Sequence, residues 1–204
     1  MVQPEQEGTE VDVIFLLDES GSMKSMGHEP IDAINDFVNE QKTVKDKSLF
    51  SLFTFNTKLK KVYSDIPMQE VPAFTSKDFN PSNMTALLDS MGQVMLSKRM
   101  SPRNKNVVMV ILTDGAENSS RHYNQSQIRE LTGDLQDNYN WKFIYLGANQ
   151  DSFQTGTGMG LARNCCADYE TSFGGCSAAT RNASSAVRNY KIDSSNSKDA
   201  KLSL

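Results

Sequence analysis

Two stretches of this chain are apolar at almost every position. Residues 11–17 read VDVIFLL and residues 107–112 read VVMVIL. A strand with one wet face alternates polar and apolar residues. A continuous run rich in β-branched side chains instead implies burial on both faces, the condition of strands inside a parallel sheet. Parallel neighbours need crossover connections, and the sequence between the runs supplies helical patterns. Ile31, Ile34, Phe37 and Val38 recur at helical spacing, with Pro30 in the first turn. Leu87, Leu88, Met91, Val94 and Met95 mark a second helix, and Ile128, Leu131 and Leu135 a third. Ala179, Ala183, Ala186, Val187 and Tyr190 give a last helix with a small-residue stripe. Residues 49–55 and 143–146 read as further strands, and residues 59–63 can fold back on 49–55 through a turn at Asn56 and Thr57. The expected fold is α/β: a doubly wound, mostly parallel sheet with one antiparallel edge strand and helices on both faces. Residues 64–84, with three prolines, read as a loop, residues 101–104 as a helix break, and Gly156, Gly158 and Gly160 as a flexible stretch.

At 204 residues the chain suits one domain. The expected division is a polar arm over residues 1–10, the domain over 11–190, and a disordered tail of Ser, Asn, Lys and Asp over 191–204. A net charge of -4 lacks the positive field that nucleic-acid binding needs, so no nucleic-acid partner is expected. No apolar run approaches the ~20 residues of a membrane helix, so no membrane partner is expected either. The acidic, polar start is unlike a secretory signal and favours a cytoplasmic address. Cys165, Cys166 and Cys176 are too few for a disulfide framework, and a reduced state is expected.

In doubly wound sheets, ligands sit beyond the carboxyl ends of the strands. The first apolar run leads into Asp18-Glu19-Ser20-Gly21-Ser22-Met23. A bend at Gly21 can point one carboxylate and two hydroxyls at a single place. The run at 107–112 leads into Thr113-Asp114-Gly115, which puts a second carboxylate at the same end of the sheet. Two carboxylates brought together repel, and a bound divalent cation relieves that repulsion. Oxygen donors of this kind suit Mg²⁺, Mn²⁺ or Ca²⁺ and offer little to zinc. Few carboxylates and small neutral donors favour Mg²⁺ or Mn²⁺ over Ca²⁺.

These residues resemble the von Willebrand factor type A domain. The loop from Asp18 to Ser22 is similar to that family's Asp-x-Ser-x-Ser signature, and residues 107–115 are similar to its buried strand ending in aspartate and glycine. Asn83-Met84-Thr85-Ala86-Leu87 matches the third element, a threonine opening a helix, with Asn83 and Met84 standing where many members carry glycine. The resemblance implies a Rossmann-like fold with a metal-ion-dependent adhesion site. Ser20, Ser22 and Thr85 would supply hydroxyl ligands, with Asp18 and Asp114 acting partly through bound waters. The open metal position would take an Asp or Glu carboxylate from a partner protein.

Loop position suggests Met23, Met26, His28 and Asn118 as the rim that partner would touch, with Glu19 and Glu117 as surface acids nearby. The expected function is therefore metal-dependent protein binding without catalysis. The alternative is a Mg²⁺-dependent phosphoryl-transfer enzyme with a strand-end aspartate as nucleophile. Such enzymes commonly carry a second aspartate two residues on, where this chain has Ser20, and no lysine or arginine adjoins Asp114 in sequence.

Overall fold

The computed structural model describes residues 10–100, 106–148, 151–171, 174–196 and 200–204. Its six strands are β1 (Asp12–Asp18), β2 (Leu49–Phe55), β3 (Leu59–Pro67), β4 (Val107–Thr113), β5 (Lys142–Ala148) and β6 (Cys166–Tyr169). They form one sheet in the order β3-β2-β1-β4-β5-β6. Every neighbouring pair is parallel except β2 and β3. The two apolar runs become the central strands β1 and β4, and all seven residues of β4 are buried. The hairpin forms the antiparallel edge, as expected, but β3 continues past Tyr63 to Pro67.

Five helices cover the two faces: α1 (Glu29–Gln41), α2 (Leu87–Arg99), α3 (Gln125–Tyr139), α4 (Ser152–Gly158) and α5 (Gly175–Asn196). Side chains alternate across a strand. Val13, Phe15 and Leu17 therefore pack under α1 and α5, while Ile14 and Leu16 pack under α2 and α3. On the first face Phe15 meets Phe37 edge to face, with ring centroids 5.3 Å apart. On the second, the fully buried Trp141 and Tyr145 fill the core.

Three expectations change. Of the stretch expected to be flexible, Gly156 and Gly158 lie in α4, which is opened by the Asp151 side chain accepting the Gln154 amide at 2.8 Å, and Gly160 follows just after it. Its glycines serve packing: a Cβ on Gly156 would collide with the Cys166 sulfur on β6. Strand β6 itself is only four residues long, too short to leave a pattern in the sequence.

The third change lies in the tail. α5 runs past Tyr190 to Asn196, Lys191 is fully buried, and its Nζ lies 3.1 Å from Asp46 Oδ2. Leu202 is also buried, and its carbonyl accepts the Cys165 thiol at 3.3 Å. The arm over residues 1–9 and the break at 101–104 lie outside the described residues. All three cysteines are free and buried. The vicinal pair splits between the two faces of the sheet, Cys165 on one and Cys166 on the other. Burial pushes the thiols up, to about 11 for Cys166 and about 12 for Cys176. Thiols so placed are inert at neutral pH.

Candidate metal centre

The site is built where β1 and β4 end side by side. Their pairing sets Leu17 opposite Leu112, so Asp18 and Asp114 leave the sheet at neighbouring points. The backbone then turns at once. Ser20 N–H donates to Asp18 Oδ1 at 2.7 Å, and residues 21–26 form a tight 3-10 turn. Gly21 N–H donates to the Asn83 carbonyl at 2.9 Å, and Ser82 N–H to the Glu19 carbonyl at 2.8 Å. These two bonds clamp the first loop onto the loop carrying Thr85. Asn83 sits at φ 64, the left-handed region, which asparagine tolerates better than most residues with a side chain. That explains how the chain dispenses with a glycine at this point.

All five predicted site residues come together. Ser22 donates to Asp114 Oδ1 at 2.6 Å, and the Ser20 and Ser22 hydroxyl oxygens are 3.1 Å apart. Two ligands at right angles on an ion with bonds of about 2.1 Å stand about 3.0 Å apart, so this pair already has coordination spacing. Gly115 reports the convergence most directly. A Cβ at that residue would lie 3.2 Å from Thr85 Oγ1, 3.6 Å from Ser22 Oγ and 4.0 Å from Asp18 Oδ2. Three oxygens, two from the Asp18–Ser22 loop and one from Thr85, thus face the space that a glycine leaves open.

Electrostatics mark the same place. Asp18 is fully buried, and burial pushes its carboxyl up from 3.8 to about 6 against the opposing pull of hydrogen bonds from Thr113 and Ser20. The Thr113 hydroxyl donates to Asp18 Oδ2 at 2.6 Å. The Asp114 charge raises Asp18 further. Asp114, itself 3% exposed, is also raised by burial, while the Ser22 hydroxyl lowers it. A divalent cation would reverse both penalties. Among the described residues no group of three or more His, Cys, Asp or Glu side chains gathers to hold a metal, because this donor set is two carboxylates and three hydroxyls.

The surrounding acids are tied into the fold, Glu19 buried and Glu117 half-buried. Glu19 is buried, contrary to expectation, and takes the Thr54 hydroxyl, the Asn80 amide and the Lys60 ammonium at 2.6–2.9 Å. It braces the Asp-x-Ser-x-Ser loop against β2 and β3. Glu117 accepts the Leu88 amide in α2's first turn at 2.9 Å and the Ser119 and Ser120 amides of its own loop at 2.9 and 2.7 Å, tying that loop to the start of α2. Asn118 Oδ1 accepts the Thr85 amide at 2.9 Å, and the Asn118 and Ser119 amides donate to the Thr85 carbonyl. Asn118 therefore positions Thr85 in addition to lying exposed at the rim.

Met23 and Met26 do not belong to any rim. They are 0% and 7% exposed and pack into the core below α1. The 3-10 turn rotates them inward while Ser22 stays exposed. His28 is exposed, as expected. Sequence reasoning missed Met84, which precedes Thr85 and is 52% exposed. It also missed Tyr169 at the end of β6, a buried phenol whose hydroxyl has no hydrogen-bond partner. Burial holds that phenol well above its ordinary value, and the charges of Cys176, Asp114 and Asp18 add to the effect.

Comparison with known proteins agrees with this geometry. Proximal thread matrix protein 1 from the mussel byssus superposes with a TM-score of 0.64 at 14% identity, over 91% of this chain and 47% of that one. A further structure of that mussel protein has zinc in its MIDAS motif. The SpRpn10 VWA domain superposes with a TM-score of 0.63 at 12% identity, over 85% of this chain and 95% of that one. A von Willebrand factor type A protein from Catenulispora acidiphila gives 0.59 at 12% identity, over 88% and 43%. The chain thus spans about half the length of the first of these structures. No curated protein matches it in sequence. The sequence profile of the von Willebrand factor type A domain matches residues 12–174, and the chain belongs to that family.

Proposed function

We propose that this domain is a metal-dependent protein-binding module. The observation that carries the reading is the space in front of Gly115, faced by oxygens of Thr85, Ser22 and Asp18. Ser20, Ser22 and Thr85 would hold a divalent cation through their hydroxyls, with Asp18 and Asp114 contributing partly through water. The ion would supply an electrophilic position for an incoming Asp or Glu carboxylate from a partner. Mg²⁺ or Mn²⁺ fits few carboxylates and neutral oxygens best. The zinc in the mussel protein's MIDAS makes zinc a necessary comparison, since such a motif accepts it there.

The chain's own residues do the rest. Thr113 and the Ser20 amide orient Asp18, Ser22 orients Asp114, and Asn118 orients Thr85. Glu19, neutralised by Lys60, holds the first loop in place without competing for the ion. Binding and not catalysis is favoured because Asp18 and Asp114 both accept hydrogen bonds that hold them as supports. Calorimetric titration with Mg²⁺, Mn²⁺ and Zn²⁺, reversed by EDTA, tests the reading. The parent should bind and Asp18→Ala should not. Equal binding by Asp18→Ala overturns the assignment. Turnover of an aryl phosphate that is lost in Asp18→Ala would favour the phosphoryl-transfer alternative.

A further inference from the structure

Beside Thr85 the surface sinks into a groove of about 470 Å³, within the size range of ligand clefts. Its floor is the first turns of α2. One wall is the β2–β3 turn with Lys58, and the other is the loop with Ser119, Arg121 and His122. Met84 stands at the end nearest the proposed metal centre, and it is one of only four large apolar side chains exposed among the described residues.

The charge of this groove runs against the rest of the molecule. The chain carries -4 overall, yet Lys58, Arg121 and His122 line the groove and are all exposed. None of the ion pairs found among the described residues involves Lys58 or Arg121. The acid in the groove, Asp89, is already engaged. Its two oxygens accept the Arg121, His122 and Tyr123 amides at 2.8–2.9 Å. The Ser119 hydroxyl is buried in the wall without a hydrogen-bond partner. An apolar step followed by exposed cations is complementary to one kind of occupant.

We propose that this groove seats an extended acidic segment of a partner protein, running on from the carboxylate that reaches the Ser20–Ser22–Thr85 centre, with an apolar side chain against Met84 and a second acidic residue facing Lys58 and Arg121. The inference rests on the metal-binding reading above. An extended chain shows alternate side chains to one surface, so two acids that face the domain together stand an even number of positions apart, with the apolar residue at an even position between them. Two cationic side chains, Lys58 and Arg121, are too few for a nucleic-acid backbone, which proteins grip through about 6–10 phosphate contacts. They suffice to fix direction and register for a peptide.

The test uses the whole chain and a random peptide library displayed on phage, panned in Mg²⁺ and eluted with EDTA. The eluted peptides should share two acids an even number of positions apart, with an apolar residue at an even position between them. Against the commonest such peptide, made synthetically, Lys58→Gln/Arg121→Gln should bind about tenfold more weakly than the parent. That difference should shrink as salt is raised, because exposed charges are screened. Both proteins should take up Mg²⁺ alike and melt alike.

Peptides with a single acid, or equal affinity of parent and variant, overturn the groove while leaving the metal centre standing. So does a failure to elute any peptide from a parent that binds Mg²⁺. A parent that binds no Mg²⁺, or an Asp18→Ala variant that binds it equally well, overturns the underlying reading instead.

Discussion

The two ends of the sheet bury carboxylates in opposite ways. At the amino end, Asp46 and Lys191 face each other at 3.1 Å with both side chains fully inaccessible. Neither charged atom has an aligned hydrogen bond, so charge attraction holds the pair. Burial pulls the Lys191 ammonium down, and Asp46 and Asp12 pull it back up. At the carboxyl end, Asp18 is equally inaccessible, yet the groups acting on it are two hydroxyls, an amide and another carboxylate. A buried charge neutralised from within the chain is a structural joint, here fastening α5 to the segment before β2. A buried charge surrounded only by neutral donors and a like charge receives no counter-charge from those neighbours. The difference teaches which buried acid to read as function.

Breaking the amino-end pair should have the largest effect. Lys191→Met leaves Asp46 buried and uncompensated, a change that costs about 3–5 kcal/mol. Urea unfolding of the parent and variant measures it. Adding Asp46→Asn keeps an acceptor for the Ser48 amide, which Asp46 Oδ1 takes at 2.9 Å, and removes the stranded charge. The double variant should recover most of the loss. A double variant as unstable as the single one would show that the pair's charge is not what matters.

The corresponding change at the other end should have the opposite sign on stability. In EDTA, Asp18→Asn removes a carboxylate whose folded pKa of about 6 stands above its ordinary 3.8. Between those values the folded state keeps a proton that the unfolded chain has released. Stability of the metal-free parent therefore falls as pH rises from about 4 to about 6 and is flat above, a drop of up to about 3 kcal/mol. The variant should lack that slope, be more stable than the parent at pH 7, and bind Mn²⁺ at least about 100-fold more weakly. Melting curves in EDTA across this range, with metal titrations beside them, test both halves. Gly115→Ala sharpens the point with a smaller change. Its methyl would sit 3.2 Å from Thr85 Oγ1, so Mn²⁺ affinity should fall about tenfold, the scale on which disturbing ligand support acts.

The central strands, and the meeting of the five candidate residues beyond them, were legible because their signals are local. Burial on both faces writes an unbroken apolar run, and a ligand loop at a strand end writes a dense cluster of oxygen-bearing side chains. What was missed depends on distant partners. Nothing near Glu19 announces that Thr54, Asn80 and Lys60 will enclose it. Met23 and Met26 look like rim residues until the 3-10 turn points them inward. The glycines of α4 read as flexibility, although Gly156 makes room for Cys166 ten residues on. Lys191 reads as part of a solvated tail because its partner lies in the connection before β2.

Tyr169 offers the finest distinction between the two ends, since its phenol adjoins the carboxyl-end acids yet has no hydrogen-bond partner. Side-chain alternation on β4 and β5 puts Asp114 and Ala148 on the face that Tyr169 occupies on β6. A buried hydroxyl without a partner costs about 1–3 kcal/mol, and removing it without changing shape recovers part of that. Tyr169→Phe should therefore raise the stability of the metal-free protein by about 1 kcal/mol, measured by urea unfolding in EDTA. A purely structural hydroxyl, bonded within the fold, would give a loss of similar size instead. The sign of this one small change thus reports whether the carboxyl end is completed by the chain alone.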